Sequence, residues 1–306
     1  MRGYLAASIL AQIEQLIDQA SGVARPLGQR FDLLSGTSAG GLIAIGLALG
    51  RTALELQQWF ASFASQVFAA NNRRATLRQP FAPRYLPTLL CDVLSDLFGT
   101  HTLADVRTDL CVTSISLENA RPRLHKTDYF ARNAARLDER LFDIALATTA
   151  APTYFPAHST KYSEGLIDGG LAANNPSLIA LIDALQFERP SKRGTPVPVH
   201  SFTAPAQNPV LLSIGTGSPG QMPFDSKALT NGGWWNWKKA IYEVMFLSQA
   251  SMTHDQAGFL LRDHYLRINP LLHGPIELDD GEAFVSLRSY ADLTRESEKF
   301  VLQYLT

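Results

Sequence analysis

An α/β three-layer sandwich, with a largely parallel central sheet and helices on both faces, is the fold this chain predicts, and three observations predict it. Strand-like and helix-like stretches alternate along one 306-residue unit, as layered α/β folds require. Hydrophobic residues make up 46% of the chain and charged residues 18%, so there is ample material for a large core. A G-x-S-x-G, within Gly36-Thr37-Ser38-Ala39-Gly40-Gly41, stands where a strand-like run passes into a helix-like one. Functional loops of such a sheet are expected at the carboxyl ends of its strands.

Tyr4 to Ala20 opens the series. Leu5, Ile9, Ile13, Leu16 and Ile17 share one helical face, with Gln12, Glu14, Gln15 and Asp18 between them, so this is an amphipathic core helix and no signal peptide. No Ser, Thr, Asp or Asn caps its start. Phe31 to Ser35 reads as a short buried strand and Leu42 to Leu49 as an apolar helix. Further strands are expected at Leu110 to Leu117, Arg123 to Phe130, Val210 to Ile214 and Tyr265 to Ile268. Further helices are expected at Ala53 to Ala70, Glu139 to Ala150, Pro176 to Phe187, Trp237 to Leu261 and Arg288 to Leu305, with Pro176 suited to a first turn. Asn71 to Arg78 and Glu188 to Pro198 have the polar and breaker content of surface loops. No run reaches the length of a membrane span; Ala39 to Gly50 is too short and stops at Arg51.

The glycine-flanked serine carries chemistry by its position. A sharp strand-to-helix turn holds the Ser38 hydroxyl away from its backbone, and the helix start aims N–H groups and a positive dipole end at the same point. Glycines at Gly36 and Gly40 are expected where side chains would collide as the chain doubles back. Such a serine needs a base. Asp168, in Gly165-Leu166-Ile167-Asp168-Gly169-Gly170, ends an apolar run and is followed by two glycines that leave its carboxylate unobstructed. Alone, Asp-Gly-Gly is an ordinary turn; paired with the serine it points to catalysis. His200 offers a rival Ser-Asp-His order, though without a small-residue turn around it. The remaining histidines lack ligand spacing, so no metal is expected. Gly215 to Gly220 formally matches G-x-G-x-x-G, but Pro219 and Pro223 interrupt the helix a dinucleotide would need, and no cofactor is expected.

Together, Gly36-Thr37-Ser38-Ala39-Gly40-Gly41 and Asp168-Gly169-Gly170 resemble the motifs of patatin-like phospholipases, lipid acyl hydrolases that use a Ser–Asp dyad in place of a triad. Ala150 to Pro156, Asn174-Asn175-Pro176, Leu211 to Gly217, Ser248 to Ser251 and Tyr265 to Ile268 extend the resemblance over nearly the whole chain. The resemblance implies one catalytic domain over residues 1–306, with Ser38 as nucleophile, Asp168 as general base and a lipid ester as substrate. It further implies an oxyanion turn, D-G-G-G-x-R-G, after an opening strand; here Arg2-Gly3 match only its last positions, leaving Ala39 and local donors to serve. An upstream segment supplying that strand and its glycines is therefore expected. A non-catalytic lipid-binding module that keeps the fold without turnover is the alternative from another class.

Lys and Arg total 27 against 28 Asp and Glu, a net charge of −1, which argues against nucleic acid as a partner. Two cysteines, Cys91 and Cys111, are too few for a disulfide scaffold. A cytoplasmic place, or one peripheral to a membrane, fits these features. Trp234, Trp235, Trp237, Lys238 and Lys239 cluster as a membrane-surface contact would, or as a helix's first turn packed onto the sheet. Oligomeric state leaves no mark on the pattern.

Overall fold

A computed structural model describes residues 2–67, 82–128, 136–185, 208–222, 224–273 and 284–306. The first elements are α1 (Gly3–Ser21), β1 (Leu33–Thr37), α2 (Ala39–Ala48), α3 (Ala53–Val67) and α4 (Pro87–Phe98). Next come β2 (Asp109–Ser116), β3 (Arg121–Lys126), α5 (Leu141–Thr149), β4 (His158–Thr160), β5 (Ser163–Asp168), α6 (Gly170–Ala173) and α7 (Ser177–Leu185). The last are β6 (Leu211–Ile214), β7 (Ser218–Pro219), α8 (Ser226–Thr230), α9 (Trp234–Leu261), β8 (Tyr265–Ile268), β9 (Leu271–Leu272), α10 (Phe284–Arg288) and α11 (Arg295–Tyr304).

The α/β sandwich is borne out, but its main sheet is mixed and not largely parallel. β1 runs parallel to β2, while β3 and β5 both run antiparallel to it and β4 runs antiparallel to β5. The cause lies in two tight connections, after Ser116 and after Thr160, which are too short for crossovers and allow only antiparallel pairs. Helix α9 does provide a crossover, and the β6–β8 pair it joins is parallel.

The register places the functional ends. Thr113 pairs with both Thr37 and Leu124, and Ser114 with both Asp168 and Arg123. β3 therefore holds one edge of β2, while β1 and β5 share the other and meet head-on at Thr113 and Ser114. The second edge of β1 has no strand partner among the described residues, and β6 with β8 forms a separate two-stranded sheet.

Burial follows the sequence periodicity. Leu5, Ile9, Ile13 and Ile17 of α1 are fully buried. Glu14, on the same helix, is buried because its carboxylate accepts from Leu27 N–H at 2.7 Å and from Ala53 N–H at 2.8 Å, satisfying the start of α3. Helix α2 is apolar all round and buried from Gly41 to Ala48, packed on β1, β2 and α5. The helix expected from Arg288 starts only at Arg295, because Thr294 caps it by accepting from Ser297 N–H at 3.2 Å, while Arg288 closes a separate helix, α10. α4 was not foreseen. The loops at Asn71 to Arg78 and Glu188 to Pro198, together with His200, lie outside the described residues.

Candidate active site

β1 ends at Thr37, and the chain turns into α2 at Ser38, whose φ of 54° is in the left-handed region. A non-glycine residue there is strained, and strain of this kind persists only where surroundings enforce it. The enforcing contacts are visible. Ser38 N–H donates to Thr148 Oγ1 at 2.8 Å, and that hydroxyl donates onward to Thr113 O at 2.7 Å. Thr37 Oγ1 lies 2.7 Å from Thr113 Oγ1 and donates to Ala173 O at 2.6 Å. Three buried threonines thus tie the serine turn, β2 and the loop after Asp168 into one unit.

Glycine is needed at Gly36, where a Cβ would lie 2.2 Å from the Gly40 carbonyl oxygen. At Gly40 the expectation of a collision is overturned. No described atom lies within 4 Å of a Cβ built there, because this part of α2 faces a cavity. The crowded neighbour is Gly41, whose Cβ would meet Thr148 Cγ2 at 2.9 Å. Gly169 is equally constrained, with Thr113 Oγ1 at 2.2 Å from its Cβ, and Gly170 sits beside the Asp168 carboxylate.

Asp168 closes β5, 5% exposed. Its carboxylate accepts the Gly170 N–H at 2.7 Å and faces the Ser38 hydroxyl. Burial pushes its pKa up to about 6, while those two donors pull in the other direction. A carboxylate tuned this way accepts a proton readily yet is ionised at neutral pH. Among the described residues no histidine hydrogen-bonds to Ser38 or Asp168; His254 lines the same cavity but is engaged with the Tyr265 hydroxyl at 3.0 Å.

Ser38 and Asp168 open on a cavity of about 510 Å³ between the free side of β1 and the β6 strand, with α1, α2 and α9 as walls. Phe60 lines it, with Leu10, Leu42, Leu47 and Leu90. Ala39 and Gly40, at the head of α2, have N–H groups without an acceptor among the described residues. Gly3 packs against this point, since a Cβ on it would be 2.9 Å from Ala39 Cβ. Arg2 lines the cavity, its pKa lowered by burial and held up by Glu243. The threonines at 113 and 148 were missed in the sequence, as was Gln249 as a tether. Its side chain accepts from Asn174 N–H at 2.6 Å and donates to Ala172 O.

Residues 1–181 match the family model described as patatin-like phospholipase, more than half of the chain. The chain belongs to the patatin-like phospholipase family. A cGAMP-activated phospholipase of Vibrio cholerae is 34% identical over 190 residues, covering 59% of this chain and 54% of that protein. One of the same name from Escherichia coli is 35% identical over 226 residues, covering 70% of this chain and 59% of its own length. Patatin-like protein 2 of Arabidopsis thaliana is 27% identical over 259 residues, 78% of this chain and 62% of the relative. The chain thus spans little more than half the length of these bacterial relatives. Patatin-like membership agrees with the motifs at Ser38 and Asp168, and none of the family chain's described helices is long and apolar enough to cross a membrane.

Proposed function

We propose that this chain is a lipid acyl hydrolase working through a Ser38–Asp168 dyad and an acyl-enzyme. The observation that carries the reading is the strained Ser38 at the head of α2, its hydroxyl facing a buried carboxylate with a pKa near 6. Ser38 Oγ attacks the ester carbonyl carbon as Asp168 takes the hydroxyl proton. The carbonyl oxygen becomes an oxyanion facing the N–H groups of Ala39 and Gly40 and the α2 dipole. Collapse expels the alcohol, which receives the proton from Asp168 and leaves the acyl group on Ser38. Water then attacks that ester, giving its proton to Asp168, and the fatty acid departs with Ser38 restored.

The apolar walls supplied by Leu10, Leu42, Phe60 and Leu90 suit an acyl chain. A series of p-nitrophenyl esters tests this. Each buried CH₂ is worth about 0.8 kcal/mol, so kcat/KM should climb as the chain lengthens from acetate. A flat or falling series, or cleavage of peptides alone, overturns the lipid assignment. Lipid binding without any turnover would favour the non-catalytic module. Activity lost in His200→Ala and kept in Asp168→Asn would overturn the dyad.

A further inference from the structure

Helix α9 is apolar on two faces, and only one of them is explained. Phe246, Leu247 and Ala250 face the cavity, and Ala240 and Ala257 are buried. On the other side Trp234 is 72% exposed, Trp235 77%, Met252 56% and Phe259 80%, with Ile241, Tyr242, Met245 and Leu260 also exposed. At about 100° per residue, all eight fall within an arc of about 120°. They run the length of a 28-residue helix. The same arc also carries Lys238, Gln249, Thr253 and Gln256, of which Gln249 and Thr253 turn inward, so it is apolar but not wholly so.

The sequence left two readings for the tryptophans, and the structure divides them. Trp237 belongs to the protein, its indole N–H donating to Leu229 O at 3.2 Å. Trp234 and Trp235 do not pack inward. Lys238, whose Nζ stands 4.2 Å from the centre of the Trp235 ring, is the one charged residue within the arc. The side chain of Lys239 is outside the described residues. Both carboxylates of the helix, Glu243 and Asp255, project outside the arc.

We propose that the exposed arc of α9 docks on the surface of an anionic membrane, the helix lying in the plane of the lipid–water boundary. The choice of occupant rests on charge and composition. Two indoles, a phenol and a lone cation with no carboxylate complement an anionic headgroup layer. A second copy fits poorly, because at the 3–4 spacing of a helix–helix seam Ile241, Met245, Met252 and Phe259 alternate with Lys238, Ser248 and Asp255. Docked this way, the helix keeps the cavity on its opposite face one helix diameter, roughly 10 Å, from the bilayer surface. The choice of a lipid surface leans on the acyl hydrolase reading, but docking requires no turnover.

The test uses vesicles of equal parts phosphatidylcholine and phosphatidylglycerol with the Ser38→Ala chain, so that nothing is hydrolysed. The chain should sediment with these vesicles, bind pure phosphatidylcholine more weakly, and show a blue shift in tryptophan emission. Lys238→Glu should weaken binding by about fivefold or more, and Trp234→Ala with Trp235→Ala by at least about tenfold. Met245→Ser with Met252→Ser should act in the same direction from a second part of the arc. None of these changes should alter turnover of a soluble short-chain ester in the Ser38 chain. No sedimentation, equal binding by all variants, or light scattering that reports a dimer broken by the same substitutions would overturn the proposal. Vesicle binding in a chain that turns over no ester would leave docking standing and remove the hydrolase reading.

Discussion

Around β2 the decisive side chains are buried and bonded to one another, whereas along the outer side of α9 they are apolar and exposed. Thr37, Thr113, Thr148 and Asp168 are each less than a tenth exposed; short hydrogen bonds link the three threonines, and Asp168 accepts from Gly170 N–H. Helix α9 meets solvent along one side, with Trp234, Trp235 and Phe259 each more than two-thirds exposed. The contrast separates two jobs. Reaction geometry needs groups that cannot drift, because misplacement by about 1 Å can cost about 100-fold. A binding wall tolerates movement, since apolar contact is non-directional.

The largest break should come on the rigid side. Ser38→Ala should lower ester turnover by about 10⁴-fold or more, and Asp168→Asn by a similar factor, with the double change costing little extra because the two act as a unit. A p-nitrophenyl ester assay reads all three, and additive losses would separate the two residues.

Next in size is the boundary between the regions. β1 presents an unpaired edge to the cavity, and Ser35 Oγ on it is buried with no partner among the described residues. A strand of about 5–6 residues ending in glycines, added upstream of Met1, should pair there and bring oxyanion donors. Turnover should rise by about 100-fold, with a higher melting temperature. Unchanged rate and melting temperature would mean that Ala39 and Gly40 suffice.

Asp168 sharpens the comparison through pH. As a base it must be ionised, so kcat/KM should rise with pH to a plateau above about 6. Unfolded, the same group titrates near 3.8. Between these values the fold retains a proton that the unfolded chain has lost, so Asp168's contribution makes the fold less stable as pH rises through the window and leaves it so above about 6. Asp168→Asn should therefore stabilise the inactive protein by up to about 3 kcal/mol at neutral pH, measured by urea unfolding.

A stability comparison separates two glycines. Gly36→Ala forces a Cβ into the Gly40 carbonyl and should destabilise by at least about 3 kcal/mol. Gly40→Ala meets open space and should leave stability within about 1 kcal/mol, with a slight gain from helix propensity. Equal losses at both would place a constraint on Gly40 beyond its surroundings.

The same division governs what was legible in the sequence. Ser38 and Asp168 sit in turns whose requirements are local, so a few flanking glycines announce them. Helix and strand positions were legible wherever apolar periodicity was strong, as in α1 and β8. Strand direction was not, because the short turns after Ser116 and Thr160 do not look different from loops inside an alternating pattern. The threonine clamp was invisible for a stronger reason. Thr148 reaches Ser38 across 110 residues, and a buried threonine in a strand or helix carries no polar signature of its own. Gly40 was misjudged because a motif suggests crowding on both sides of the serine, while the cavity relieves one of them.

The head-on meeting of β1 and β5 along one edge of β2 also sets where this chain can change length. Between β4 and β5 the pairing already slips, between His158 and Thr160, so that hairpin has an irregularity able to absorb an added residue. Nothing comparable exists at the other end of β5. A residue inserted between Ile167 and Asp168 would turn the carboxylate to the far face of the sheet, since successive side chains alternate. Natural length variation and engineered insertions should therefore gather at the outer hairpin and spare the three or four residues before the paired glycines.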